Sequence, residues 1–275
     1  MPTHTVIGGG GVRLHVEDVG NPQRPSVLFI HGYSQSLLSW SRQLESPPLT
    51  GQLRLLAMDN RGHGRSDKPL EADAYRDSAL WAADVHNVIT QLGLDHPVLC
   101  GWSYGSLIVC DYLRVHGDHE IGGVNMVDGL SKLGSAEANA LLSNEFLALL
   151  PGLESEDATE SATALQALLR LATRQQLEPK DFFFFLGFNT IVPPLVRAAL
   201  LDRTVDNDGV LSQIARPVLI THGQEDAILL PTAAQQHAAL IAHAQTSFYP
   251  NVGHAPFFEN AQRFNQELRA FVQSV

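Results

Sequence analysis

The pentapeptide Gly101-Trp102-Ser103-Tyr104-Gly105 constrains the fold of this chain more than any other stretch. An apolar run at 97–100 comes directly before it, and apolar residues at helical spacing follow it over 103–115. A strand, a sharp turn and a helix in this order lift a serine clear of the backbone at the turn. The turn leaves no room for a side chain on either flank, so both flanking residues are glycine. We therefore hypothesise that Ser103 is a nucleophile and that the remaining chain supplies a base, an acid and an oxyanion hole.

Strands and helices alternate along most of the chain. Two alternating runs at 3–7 and 12–18 flank four glycines and predict a hairpin. Short, mostly apolar runs predict six further strands at 27–30, 53–58, 97–100, 122–127, 217–220 and 245–249. Patterns of helical spacing predict helices at 37–44, 78–92, 103–115, 231–242 and 260–271. The predicted fold class is therefore α/β, with a mainly parallel eight-stranded sheet that helices cover on both faces.

The alternation stops at about residue 130 and resumes at about residue 214. Between these points, runs rich in leucine and alanine predict helices at 136–150, 161–173, 179–188 and 194–201. A helical excursion between two strands of one sheet is typical of a cap laid over the carboxyl edge of that sheet. We therefore predict a core domain made of residues 1–129 and 214–275, with residues 130–213 inserted as a helical cap.

Composition and charge limit the partners of the protein. The 275 residues are 44% hydrophobic and carry a formal net charge of −11, which disfavours binding to nucleic acid. The chain begins without a basic and apolar leader, and no apolar run approaches the ~20 residues that span a bilayer. We therefore expect a cytoplasmic protein with no membrane partner. Cys100 and Cys110 are expected to be buried, reduced thiols.

His254 is the candidate base. In a parallel sheet, functional residues collect just beyond the carboxyl ends of the strands. Twelve histidines are present, and His254 lies directly after the last predicted strand, where Gly253 lets the chain turn back over the sheet. A neutral imidazole takes the serine proton and returns it near neutral pH.

Asp226 is the candidate acid, because it follows the strand predicted at 217–220. A buried carboxylate at this point would accept the imidazole hydrogen bond and fix its tautomer. The resulting chain order of serine, acid and histidine is the one expected of this architecture. Two alternatives remain open at this stage: Glu225 is adjacent, and Asp128 ends the strand predicted at 122–127.

His31-Gly32-Tyr33 ends the strand predicted at 27–30. The backbone N–H groups of Tyr33 and Tyr104 are the candidate donors of an oxyanion hole, since Gly32 permits a close approach of the backbone. No metal is expected: His116 and His119 flank a helix end, but no further ligands complete a zinc quartet.

Aromatic residues supply the candidate walls of a substrate pocket. The run Phe182–Phe185 together with Phe188 does not fit on one helix face, so these residues are either buried on several sides or line an apolar pocket. The candidate pocket residues are Trp102, Phe184, Phe185 and Phe188. The leucine, phenylalanine and alanine content of the cap favours a small, apolar substrate.

From about residue 25 to its end, the chain resembles the α/β-hydrolase superfamily. The resemblance depends on five motifs, namely His31-Gly32, Asp59-Asn60-Arg61-Gly62-His63-Gly64-Arg65-Ser66, Gly101-Trp102-Ser103-Tyr104-Gly105, Gly223 with Asp226, and Gly253-His254. Within that superfamily the chain is similar to serine esterases, lactonases and the cofactor-free haloperoxidase (perhydrolase) group. The resemblance implies hydrolysis of a small ester or lactone through an acyl-enzyme on Ser103, without a cofactor.

Two departures from relatives bear on this interpretation. Relatives that hydrolyse epoxides or haloalkanes carry an aspartate at the nucleophile position, so Ser103 argues against both reactions. Many relatives carry a further glycine where Ser106 stands, and the role of this hydroxyl is open. The alternative functions are perhydrolysis, hydrolysis of a carbon–carbon bond on the same residues, and binding of a ligand without catalysis. The sequence does not predict the oligomeric state.

Overall fold

The computed structural model describes residues 2–275. Within these residues, strands form at β1 (Thr3–Ile7), β2 (Arg13–Val19), β3 (Ser26–Ile30), β4 (Arg54–Met58), β5 (Val98–Trp102), β6 (Gly123–Val127), β7 (Lys132–Leu133), β8 (Val205–Asp206), β9 (Val218–Gly223) and β10 (Gln245–Tyr249). Eight of them form one sheet in the order β1-β2-β4-β3-β5-β6-β9-β10, and β7 pairs with β8. The α/β fold class predicted from the sequence is confirmed.

The sheet is mainly parallel. β2 pairs antiparallel with β1 and with β4, whereas β4, β3, β5, β6, β9 and β10 run parallel to one another. The chain moves from β3 outward to β4 and then returns to the other side of β3 as β5. Such a reversal opens a crevice beyond the carboxyl ends of the two strands that flank it. The crevice therefore lies between the ends of β3 and β5.

Helices connect these strands. Their bounds are α1 (Ser41–Leu44), α2 (Pro47–Thr50), α3 (Asp73–Arg76), α4 (Ser78–Gln91), α5 (Tyr104–His116), α6 (Ala136–Asn139), α7 (Asn144–Glu154), α8 (Ala158–Leu171), α9 (Pro179–Thr190), α10 (Pro194–Leu201), α11 (Asp208–Leu211), α12 (Thr232–Leu240), α13 (Pro256–Glu259) and α14 (Ala261–Gln273). Short 3-10 turns occupy Gly9–Gly11 and Leu37–Trp40. The helix predicted at 37–44 is therefore a 3-10 turn that continues into α1.

Apolar side chains cover both faces of the sheet, as predicted. On one face, α4 and α5 bury residues such as Trp81, Val85 and Ile108 against the strands. On the other face, Trp40 packs between Phe29 of β3 and Phe257 of α13, with ring centroids 4.7 and 4.3 Å apart. Strands covered on both sides bury every residue, which explains why Val27–Ile30 of β3 and Leu55–Met58 of β4 are continuous apolar runs in the sequence.

The segment between β6 and β9 contains α6 to α11, and the short pair β7–β8 joins its two ends. The single helix predicted at 136–150 is wrong, because α6 ends at Asn139 and α7 starts at Asn144. Ser143 causes the break: its Oγ accepts the N–H of Phe146 at 3.0 Å and caps α7. The division into a core and a cap at residues 130 and 213 stays a prediction.

Two smaller expectations concern the cysteines and the membrane. Cys100 and Cys110 are buried and unpaired, as predicted. No single helix among residues 2–275 is long and apolar enough to cross a membrane. Helices α9 and α10 reach that length and composition only when taken together, and they meet at an angle of 83°.

Candidate active site

Ser103 stands at the junction of β5 and α5 in a strained backbone conformation. Its φ is 54° and its ψ is −117°, a combination that is sterically costly for a residue with a side chain. The end of β6 holds the turn in place: the Ser103 N–H donates to the Val127 carbonyl at 2.9 Å, and the Leu130 N–H donates to the Ser103 carbonyl at 3.1 Å. A strained residue that its surroundings hold so firmly is characteristic of a functional position.

The two glycines of the pentapeptide allow this turn to pack against the sheet. A Cβ atom on Gly105 would lie 2.2 Å from the carbonyl oxygen of Ile30, and one on Gly101 would lie 2.7 Å from the carbonyl oxygen of Gly105. Neither position therefore accepts a side chain without moving backbone. The structure also answers the question of Ser106, whose buried Oγ donates to the Gly101 carbonyl at 2.7 Å and closes the turn from inside.

His254 and Asp226 form a buried hydrogen-bonded pair. His254 lies between β10 and α13, Asp226 follows β9, and the Nδ1 atom of His254 is 2.6 Å from Oδ2 of Asp226. The exposed fractions of the two residues are 3% and 4%. Because a carboxylate accepts hydrogen bonds, this contact places the imidazole proton on Nδ1 and leaves Nε2 as the basic nitrogen.

Asp226 is held as an anion by its surroundings. Its Oδ1 accepts the N–H groups of Ile228 at 2.8 Å and of Leu229 at 3.0 Å. Burial by itself raises the pKa of Asp226, but the His254 imidazole and these N–H groups outweigh it and leave the pKa below its usual value. The carboxylate is therefore charged at neutral pH and stabilises a positive charge on His254.

The two alternatives for the acid take other positions. Glu225 is exposed. Asp128 is buried at the end of β6, but its Oδ1 accepts the N–H of Gly223 at 2.9 Å and lies 3.7 Å from Nδ1 of His222. Among the three carboxylates, the one that the structure brings to His254 is Asp226.

A small cavity brings Ser103 and His254 together. Its volume is about 40 Å³, and its polar lining includes these two residues and Gln35. Trp102 also lines the cavity and supports the histidine loop, since its Nε1 donates to the His254 carbonyl at 2.7 Å. The cavity lies at the carboxyl ends of β3 and β5, where the strand order predicts a crevice.

The two candidate oxyanion donors lie beside this cavity. Gly32 and Tyr33 line it, and a Cβ on Gly32 would be 3.1 Å from the Cβ of Ser103. Among residues 2–275, neither the N–H of Tyr33 nor that of Tyr104 has a hydrogen-bond acceptor. Tyr104 is the first residue of α5, where an N–H group is left free by the helix and points toward its N-terminal end. Both donors are therefore available to a bound oxyanion.

The predicted phenylalanine pocket does not form at the cavity. Of the four candidate residues, Trp102 lines the cavity, whereas Phe184, Phe185 and Phe188 do not. Phe185 and Phe188 are buried in the core, and the ring of Phe185 packs 4.9 Å from that of Phe258. The side chain of Phe184 faces outward and is 43% exposed. Neither alternative describes the whole run: Phe185 is buried, Phe183 and Phe184 are exposed, and Phe182 and Phe183 line a second cavity of about 460 Å³ that does not include Ser103.

Sequence reasoning missed the residues that form the apolar wall, which are Phe146, Leu168, Ala172 and Ile228. Leu168 and Ala172 are four residues apart, so they lie on the same side of α8 and its end. The helical spacing of α8 identifies that side as apolar, although it does not reveal that the side faces Ser103. Phe146 and Ile228 carry no comparable signal in the sequence.

Comparisons with known proteins identify the family of the chain. The family profile described as alpha/beta hydrolase fold matches residues 25–261. The chain belongs to this family. It is 28% identical over 273 residues to the AB hydrolase superfamily protein YisY of Bacillus subtilis, which covers 96% of each chain. The resemblance stated from the motifs is thereby confirmed, and the chain is a hydrolase by family.

Individual relatives differ in the reaction that their names state. The crystal structure of the esterase RhEst1 from Rhodococcus sp. ECU1013 superposes with a TM-score of 0.91, at 32% identity, over 100% of this chain and 99% of that one. Epoxide hydrolase A of Mycobacterium tuberculosis is 32% identical over 117 residues, which is 42% of this chain and 36% of that protein. The structural similarity to the esterase thus covers the whole chain, whereas the sequence similarity to the epoxide hydrolase covers less than half of this chain.

Proposed function

We propose that this protein is a serine hydrolase that cleaves carboxylic esters. The observation that carries the proposal is the 2.6 Å contact of the buried His254–Asp226 pair at a cavity that Ser103 also lines. A nucleophile, a base and a group that orients the base are the parts that acyl transfer needs. The full-length similarity to an esterase supports the same reaction.

The reaction follows from the roles of these groups. Nε2 of His254 accepts the proton of Ser103 as Oγ attacks the ester carbonyl, and Asp226 stabilises the imidazolium that forms. The N–H groups of Tyr33 and Tyr104 hold the negative charge that develops on the carbonyl oxygen. His254 then gives its proton to the leaving alcohol, which leaves an acyl group on Ser103. Water repeats these steps and releases the acid.

The nucleophile separates this proposal from epoxide hydrolysis. An ester formed on an aspartate is hydrolysed at the carbon of the enzyme's own carboxyl group, whereas a serine ether formed by opening an epoxide offers no such carbon. Ser103 therefore suits substrates that already contain a carbonyl group. The partial similarity to epoxide hydrolases is explained by the shared fold.

The cavity suits a small, apolar acyl group. Phe146, Leu168, Ala172 and Ile228 form its apolar wall. Its volume is only about 40 Å³, so little free space lies beside Ser103. We expect the side chains of Phe146 on α7 and Leu168 on α8 to move aside when an ester binds. We expect rates to fall as the acyl chain of the substrate lengthens.

Replacement of Ser103 tests the proposal. We expect Ser103→Ala to reduce kcat for p-nitrophenyl acetate by about 10⁴-fold or more, because the nucleophile is lost. Ser212→Ala, which removes an exposed hydroxyl at the end of α11, is the matched control and should keep the wild-type rate. A fluorophosphonate probe should label Ser103 alone, as peptide mass spectrometry would detect. Hydrolysis by Ser103→Ala at the wild-type rate, or labelling of another residue, would refute the proposal.

A further inference from the structure

A second buried carboxyl group lies behind Asp226 and has no part in the mechanism above. Asp128 follows β6, is fully buried and has a φ of 42°. Its Oδ1 accepts the N–H of Gly223 at 2.9 Å. Its Oδ2 is also buried, and among residues 2–275 no N–H or O–H group donates a hydrogen bond to it. A buried carboxylate with an unpartnered oxygen is costly, which raises the question of how Asp128 is accommodated.

The groups that face Asp128 do not supply a positive charge. His222 of β9 has its Nε2 3.1 Å from the Leu229 carbonyl, a contact that places the ring proton on Nε2. Its Nδ1 is therefore a lone pair, 3.7 Å from Oδ1 of Asp128. Burial lowers the pKa of His222 and keeps its ring neutral. Among residues 2–275, no arginine or lysine forms an ion pair with Asp128.

The remaining titratable neighbours are anionic or already paired. One carboxylate oxygen of Asp128, one of Asp226 and one imidazole nitrogen of His222 lie within 4.8 Å of one another. Glu259 at the end of α13 adds a more distant negative charge, and the His254 imidazole is bonded to Asp226. Two carboxylates this close in a buried site do not both ionise, because their repulsion is poorly screened.

Hydrogen-bond donors decide which of the two carboxyl groups keeps the charge. Asp226 accepts from the N–H groups of Ile228 and Leu229 and from Nδ1 of His254. Asp128 accepts from Gly223 alone among residues 2–275. Burial, reinforced by the charge of Asp226, raises the pKa of Asp128 well above its usual value. The negative charge therefore belongs to Asp226.

We propose that Asp128 is a positioning residue: its carboxyl group stays protonated at neutral pH and donates a hydrogen bond from Oδ2 to the carboxylate of Asp226. The pair then carries one negative charge, and Asp128 adds a further hydrogen bond that holds the carboxylate of Asp226 in place. The inference rests on the proposed function, in which Asp226 orients the base. A cation between these groups is disfavoured, because the oxygens of Asp226 already accept three hydrogen bonds.

Replacing Asp128 by asparagine and by glycine tests the hydrogen bond. Both replacements tolerate a positive φ, so the backbone is not the variable. Asparagine keeps a donor, and we expect Asp128→Asn to retain kcat/KM within about threefold of wild type. Glycine removes the donor, and we expect Asp128→Gly to lose about tenfold to hundredfold, the range of a hydrogen bond to a charged group. Equal losses in both variants would overturn the proposal.

The pH profile distinguishes a neutral Asp128 from a charged one. If Asp128 is neutral, the acidic limb of kcat/KM, which reports the free-enzyme base, has the same midpoint in wild type and in Asp128→Asn. If Asp128 is charged, this variant removes a negative charge that stabilises the imidazolium form of His254, and the acidic limb moves to lower pH. A shift of that kind would overturn the proposal.

A readout that does not need turnover separates this inference from the proposed function. We expect the infrared spectrum of wild type at pH 7 to contain a carbonyl stretch of a protonated carboxyl group that Asp128→Asn lacks. Its absence in wild type, or a stoichiometric metal ion detected by elemental analysis of the purified protein, would overturn the assignment of the proton. If Ser103→Ala remains active, the proposed function fails while the infrared result still tests Asp128.

Discussion

We expect replacement of Arg61 to destabilise the fold, because it removes a buried positive charge and all the hydrogen bonds that this side chain donates. Its guanidinium group forms two 2.7 Å hydrogen bonds to the carboxylate of Asp84, and both side chains are 0% exposed. It also donates to the carbonyl groups of Gly9, Ala74 and Leu80 at 2.9, 2.9 and 3.1 Å. One side chain thus joins the loop after β4, helices α3 and α4, and the turn of the N-terminal hairpin.

The expected loss of stability in Arg61→Met comes from the Asp84 carboxylate, which loses its positively charged partner. Methionine fills part of the space but leaves Asp84 buried without its cation, a change that costs about 3–5 kcal/mol. An unfolding entropy of about 2.1 cal/mol/K per residue over the 275 residues gives about 0.6 kcal/mol/K. The melting temperature should therefore fall by roughly 5–9 °C.

Arg13→Met is the matched control. Arg13 also forms a two-pronged ion pair, with Asp67, but these side chains are 68% and 36% exposed and water solvates either charge when it is left alone. We expect little change in its melting temperature. Differential scanning calorimetry of wild type and both variants at pH 7 measures the difference directly.

The double variant Arg61→Met/Asp84→Leu tests the reasoning behind the magnitude. It removes the stranded charge as well, so it should recover part of the stability that Arg61→Met loses. Recovery should stay incomplete, because Asp84 also accepts the N–H of Gly9 at 2.8 Å, and that donor is then left unpaired. A double variant less stable than Arg61→Met, or an Arg61→Met no less stable than Arg13→Met, would refute the reasoning.

Three further predictions concern packing, pH and the histidine loop. Gly105→Ala brings Cβ within 2.2 Å of a backbone carbonyl of β3 and should cost both stability and kcat, whereas Gly187→Ala, with no atom within 4 Å, should cost neither in calorimetry and ester assays. Burial lowers the pKa of His31 to about 4 and of His63 to about 3, below the ordinary value of about 6.5 that both have in the unfolded chain. Because the unfolded chain then binds protons that the folded protein does not, the free energy of unfolding should be at its full value above about pH 6.5 and fall towards pH 4. Urea titrations over this pH range measure the change, and a flat profile would contradict the prediction. In ester assays, Glu259→Gln should reduce kcat by a larger factor than it changes KM. The Glu259 carboxylate accepts the N–H of Gly253, next to His254, at 2.7 Å and the N–H of Arg174, between α8 and α9, at 2.8 Å.

Much of the sheet was predictable, because strands that are covered on both faces consist mainly of apolar residues, a pattern that is visible in the sequence. β3 and β4 bury every residue, and the last four residues of each form a continuous apolar run. The order of the strands in the sheet has no comparable local pattern, so the sequence of each strand does not show that β3 lies between β4 and β5. The error at 136–150 has a local cause, since Ser143 starts a new helix within a stretch whose composition suits one long helix.

The candidate site was predictable to the extent that its chemistry requires uncommon residues at strand ends. Ser103 and His254 are 151 positions apart in the sequence, and the parallel sheet brings the ends of their strands to one edge. The sequence favoured Asp226 through chain order but left Asp128 open, because both follow buried strands of the same edge. What distinguishes them is the number of N–H donors around each carboxyl group, and loop geometry sets that number.

The walls of the cavity were the least predictable part, for a reason that bears on substrate choice. A run of four phenylalanines identifies an apolar segment but not its partner, and Phe185 packs on Phe258 of the core. On α8, Leu168 lines the cavity, whereas the next residue, Leu169, packs into the core of the opposite sheet face. The orientation of α8 about its axis sets which of these two side chains faces the cavity. Substitutions at Leu169, which never touch the cavity, should therefore change acyl-chain preference by rotating Leu168, whereas truncation at Leu168 should change it by enlarging the cavity.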